Sequence, residues 1–78
     1  MATKKEVLEA AVRGEGCLGR AANGEPVFVL RAQDRLAAAL VDDWANEAVL
    51  SKCPADKVAE ARAIAAQMRT WPNRRLPD

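Results

Sequence analysis

Arg31, Gln33 and Asp34 fall within four positions at the end of an apolar run, EPVFVLRAQD, residues 25–34. Their types suit recognition of a phosphate-bearing molecule. A guanidinium offers a planar fork of donors that fits phosphate oxygens. An amide and a carboxylate beside it can read the donors and acceptors of a base or sugar. The place suits it as well, because a strand running into a helix N-terminus leaves free amides and the positive end of the helix dipole at the junction. Arg20, Arg74 and Arg75 would close such a site if the fold gathers them, and Arg35 stands next to Asp34. Two effects oppose this. Asp34, as a helix cap, would occupy one amide and repel a phosphate, and an Arg31–Asp34 ion pair would use up both groups.

Catalytic chemistry has little to work with. The chain holds no histidine and no tyrosine, and Ser51 is its only serine. Ser-His and Cys-His nucleophilic pairs are therefore absent, and so is the commonest general base. The two cysteines, Cys17 and Cys53, lack metal-site or redox spacing, and no histidine completes a zinc set. They are expected to be small buried thiols, with no metal, no cofactor and no enzyme activity. The adjacent carboxylates Asp42 and Asp43 do not share a helix face and are expected on the solvated side. GEGCLG follows no strand, so it is not a dinucleotide fingerprint. Trp44 and Trp71 are expected to pack in the core.

The elements that must position the polar cluster read as follows. Thr3 and Glu6 form a capping box for a first helix with Val7, Leu8, Ala11 and Val12 on its stripe, and Gly14 ends it. Residues 16–24 fit either one helical turn or an irregular loop, closed by a turn at Asn23-Gly24. Pro26 sets an extended lead-in, and Val27 to Arg31 reads as a strand with Phe28, Leu30 and Ala32 on one face. Pro26 as the first residue of a helix is the rival reading. Asp34 caps a helix over 35–50 whose stripe is Leu36, Leu40, Val41, Trp44 and Ala48. Pro54 opens a last helix with Val58, Ala61, Ile64, Ala65 and Met68 inward, and Trp71-Pro72 stops it. Residues 71–78 form a polar tail in which Arg74 and Arg75 contact solvent or, second, phosphate.

This predicts a mainly α single domain over 1–78 with one short β-strand. A lone strand cannot satisfy its own ladder groups. Pairing with the same strand of another copy, antiparallel across a twofold axis, repairs that and enlarges a core that 78 residues make thin. A homo-oligomer, dimer or larger, is expected. The competing picture is a compact helical monomer in which 27–31 is helical.

Twelve basic and eleven acidic residues leave a net charge of +1, so neither nucleic acid nor a membrane surface is an expected partner. No apolar run approaches the roughly 20 residues of a membrane span, and the start has no signal-peptide core, so a cytoplasmic protein is expected.

The segments GCLGRA, EPVFVLRAQDRLA and LVDDWA resemble small proteins encoded by bacteriophages and prophages, over about the middle half of the chain. The resemblance brings no catalytic residues with it. It implies a non-enzymatic protein that neutralises something in a host, such as an oligomeric sponge for a nucleotide immune signal. In that reading Arg31 contacts phosphate, Gln33 and Asp34 read polar groups, and Arg20 or Arg74-Arg75 closes the site. The alternative is a protein-interaction module docking on a host or phage protein.

Overall fold

The computed structural model describes residues 3–76; Met1, Ala2 and the last two tail residues, Pro77 and Asp78, lie outside the described residues. Four helices follow one another there: α1 (Lys4–Val12), α2 (Gly16–Arg20), α3 (Ala37–Leu50) and α4 (Ala55–Arg69). The chain is mainly helical, and no sheet forms among the described residues.

Local sequence explains where α1 begins and ends. Thr3 is extended, and its hydroxyl accepts the Glu6 amide at 3.2 Å while donating to the Glu6 carboxylate at 2.9 Å. One amide that the helix leaves without a partner is thereby satisfied. At the other end Gly14 adopts φ 70°. Its amide donates to Ala11 at 3.0 Å, and the Glu15 amide donates to Ala10 at 2.8 Å. These two bonds form a Schellman motif, which needs a left-handed residue where Gly14 stands. The chain then folds straight back as α2 and packs on α1. Gly19 allows the approach: a Cβ there would sit 2.8 Å from the Gly14 backbone carbon and 3.2 Å from the Ala11 Cα. The ambiguous 16–24 segment is thus a short helix followed by a turn, in which the Glu25 amide donates to the Ala22 carbonyl at 3.0 Å.

The second unit is the α3–α4 hairpin. Asp34 does act as a cap, accepting the Leu36 amide on its carboxylate at 2.8 Å and the Ala37 amide on its carbonyl at 3.1 Å. Regular helix starts at Ala37, two residues later than expected, because residues 34–36 form a turn first. Pro54 is the cap of α4 and Ala55 its first residue, one position from the expected start. The connector closes with a second Schellman motif, the Lys52 amide on Val49 and the Cys53 amide on Ala48, with Lys52 at φ 59°.

The core is small. Ala37, Ala38, Ala45, Ala48, Val58 and Ala65 are the buried apolar residues, and no large side chain is fully buried. Each buried methyl contributes on the order of 0.8 kcal/mol, so alanine makes a thin core. The α4 stripe is as expected, with Val58 and Ala65 buried and Ala61, Ile64 and Met68 half-buried. The α3 stripe is not. Leu36, Leu40 and Trp44 are each about half exposed, and the buried line is Ala37, Ala45 and Ala48, with Val41 half-buried. Apolar residues cover much of α3, so periodicity alone left its rotation open, and two paired helices bury the faces whose small side chains let the backbones approach. Trp71 is also exposed, so neither tryptophan is a core residue of the single chain. Asp42, expected to be merely solvated, forms an ion pair with Arg69 across the hairpin, and Asn46 accepts from Arg62 at 3.1 Å.

Two further expectations change. Residues 27–31 form neither strand nor helix: the stretch runs irregular and mostly exposed, and the only β pairing among the described residues is a single bridge at Asp34. A strand needs a ladder partner, and no second extended segment lies alongside it. Cys17 and Cys53 are exposed free thiols, because each sits at a helix end or connector that nothing covers. Beyond what the sequence addressed, α1 and α2 make no helix-to-helix contact with α3 or α4.

The outcome is an open surface. The chain exposes 6283 Å², against about 4,600 Å² for a compact monomer of its mass. Phe28 is 85% exposed, Val29 72% and Leu50 76%.

Candidate functional site

The described end of the chain returns to the junction that precedes α3. After Trp71 a turn at Pro72-Asn73, with Asn73 at φ 60°, reverses direction. Asparagine tolerates that left-handed conformation better than most residues. Arg75 then pairs with the segment around Asp34. Its amide donates to the Gln33 carbonyl at 2.8 Å, and its carbonyl accepts the Arg35 amide at 2.9 Å. The result is a parallel bridge between Asp34 and Arg75. Two segments some forty residues apart are tied by backbone bonds that no side-chain substitution removes directly.

This junction carries four arginines around a single carboxylate, that of Asp34. Arg13 pairs with Glu15 at 3.4 Å, Arg20 donates to the Gly16 carbonyl at 3.2 Å, Arg62 binds Asn46 and Arg69 binds Asp42. The guanidiniums of Arg31, Arg35, Arg74 and Arg75 have no hydrogen bond or ion pair among the described residues. These four are the arginines at or next to the bridge. Arg31, Arg35 and Arg75 are exposed, while Arg74 is half-buried. Asp34 spends its carboxylate on the Leu36 amide and makes no ion pair with Arg31, so the expected neutralising pair is absent.

Gln33, Asp34 and Arg75 are therefore brought together, with Arg74 and Arg31 on the adjoining residues. Arg20 lies on α2, whose only helix contact is with α1, and its guanidinium donates to the Gly16 carbonyl. Arg35, considered only as added charge, belongs to the bridge through its own amide. The Pro72-Asn73 pair was the sequence signal for the tail's return, since proline followed by a residue that accepts positive φ is turn chemistry.

A second feature is a shallow groove of about 230 Å³ on the hairpin, lined by Val41, Trp44, Lys57, Glu60, Ala61 and Ile64. None of these residues belongs to the junction. Among the described residues no cluster of three metal-ligating side chains occurs, and no buried side-chain polar atom lacks a partner. No helix there is long and apolar enough to cross a membrane.

No protein-family model, curated protein or solved structure matches the chain.

Proposed function

We propose that the protein binds without catalysing: a homo-oligomer that holds a phosphate-bearing small molecule, such as a nucleotide signal, at the arginine-rich junction. One observation carries this reading. The four arginines without partners among the described residues are those at or next to the Asp34–Arg75 bridge, whereas Arg13, Arg20, Arg62 and Arg69 are all engaged within the chain. Four arginines on residues at or next to one bridge outnumber its single carboxylate, and an oxyanion would balance that excess while accepting their forked donors. Gln33 and Asp34, with backbone fixed by the bridge, are placed to read the rest of the ligand. Sequestration, not turnover, follows from an inventory that lacks histidine and any serine beyond Ser51. The resemblance to phage-encoded proteins gives such sequestration a setting, neutralisation of a host immune signal inside the cell.

Assembly belongs to the same reading. The surplus of about 1,700 Å² over a compact monomer falls within what one protomer of a stable homodimer buries, about 800 to 2,500 Å². The apolar stretch 27–31, irregular in the single chain and without a backbone partner among the described residues, is the edge through which two copies would pair.

Calorimetric titration with pyrophosphate, a nucleoside triphosphate and cyclic dinucleotides tests the binding claim. At least one of these should bind, and the double variant Arg35→Glu, Arg75→Glu should lose that binding while keeping its helical circular dichroism. Binding that survives the double reversal, or none with any of the anions, would defeat this reading.

A protein-interaction module is the second reading, favoured by the groove around Trp44 with its apolar floor and its Lys57 and Glu60 rim. Its mark would be a stoichiometric protein partner whose capture survives Arg31→Glu and fails with Trp44→Ala.

A further inference from the structure

The unpartnered stretch has definite ends, and they fix how a second copy would fit. Before it, Glu25 is committed to the Asn23-Gly24 turn, its amide on the Ala22 carbonyl and its carboxylate on the Ala22 amide, both at 3.0 Å. Pro26 follows and has no amide hydrogen. After it, the Asp34 amide closes a turn on the Arg31 carbonyl at 3.0 Å, and the bridge to Arg75 begins. Between these anchors the amides of Val27, Phe28, Val29, Leu30 and Arg31 have no hydrogen-bond partner among the described residues. Val27, Phe28 and Val29 are exposed, and Leu30 alone of the run is half-buried against its own chain. A segment pinned at both ends loses little freedom on binding, and its free amides and β-branched side chains make it a template for strand pairing.

We propose that two copies pair antiparallel through residues 27–31 with Val29 on the twofold axis. This rests on the assembly reading above and adds the register. A twofold axis perpendicular to a β-ribbon keeps every side chain on its own face, so it must pass through a residue and not between two. An axis at Val29 pairs Val27 with Arg31 and Phe28 with Leu30, and every paired residue carries a donor. An axis at Phe28 draws Pro26 and the committed Glu25 into the ladder. An axis at Leu30 calls on Ala32 and Gln33, which lie in the turn. The Val29 register also sets the exposed Phe28 against the partner's Leu30, covering the largest apolar side chain of the run. Arg31 of each copy then lies at opposite ends of the ribbon, so the two arginine junctions flank the interface and do not meet in it.

Single-cysteine variants read the register directly. In a Cys17→Ser, Cys53→Ser background, Val29→Cys, Phe28→Cys and Val27→Cys are oxidised mildly, and covalent dimer is measured alongside the mass of the reduced protein. Facing residues have Cα atoms about 4.5–5.5 Å apart, inside disulfide reach. Position 28 would stand about 8 Å from its copy and position 27 about 14 Å, both beyond it. Val29→Cys should form the covalent dimer and the other two should not. Preferential cross-linking at 28 overturns the register and leaves the ribbon standing. A reduced dimer that cross-links at none of the three overturns the ribbon while leaving assembly intact. A reduced monomer overturns assembly itself.

Discussion

At the scale of single residues, a side chain's role here depends on what its backbone neighbours already do. Asp34 can cap a helix, pair with Arg31 or contact a ligand; within the chain it caps, its carboxylate accepting the Leu36 amide two residues on, and it forms no ion pair with Arg31. That leaves Arg31 without an ion pair among the described residues, and four arginines against one carboxylate give the junction a net positive charge. Lys52 shows the reverse case, a residue type at odds with its place. It occupies the left-handed position of a Schellman motif at φ 59°, where an L side chain costs about 1–2 kcal/mol. Lys52→Gly should raise stability by about 0.5–1 kcal/mol, the relief of strain less the extra entropy glycine has when unfolded. Urea unfolding at fixed protein concentration measures it, and a lowered midpoint would contradict the assignment. The capping box, Gly14 and the Asn23-Gly24 turn were legible in the sequence because each is settled by residues within five positions of one another. The pairing of Arg75 with Asp34 was not, since nothing local marks a backbone contact across such a separation.

Between elements, the two helix pairs answer to different constraints. The α1–α2 pair is set by one close approach, at Gly19, and the α3–α4 pair by a line of alanines clasped by Asp42–Arg69 and Asn46–Arg62. Because no helix of one pair touches a helix of the other, the first should open without the second. Gly19→Ala drives a methyl into the Gly14 backbone, an overpacking that costs about 1–3 kcal/mol. Amide exchange should accelerate across Lys4–Arg20 while α3 and α4 keep their protection. Equal loss in all four helices would mean that the pairs are one cooperative unit; no change would mean that the α1–α2 contact does not hold in solution. Helix positions were readable from caps and breakers, but the rotation of α3 was not. Leu36, Leu40 and Trp44 make a good stripe by spacing, and small residues on the adjoining line prevailed because a two-helix contact rewards close approach.

For the molecule as a whole, the expected strand and the observed surface bear on the same question. Residues 27–31 have the composition of a strand and no backbone partner among the described residues, and Leu36, Leu40, Trp44, Leu50 and Trp71 remain about half exposed or more. A core of alanines and one valine offsets little of the roughly 1–2 kcal/mol per residue that ordering a backbone costs. In the proposed function the assembled form is the active one, with apolar surface buried between copies and the arginine junctions left open to a ligand. The most direct test is the mass of the protein in solution by light scattering across a dilution series, together with native mass spectrometry of the protein as purified. The account predicts a dimer or larger closed oligomer that dissociates on dilution with loss of helical signal. A monomer of 8.4 kDa that stays helical at every concentration would contradict it.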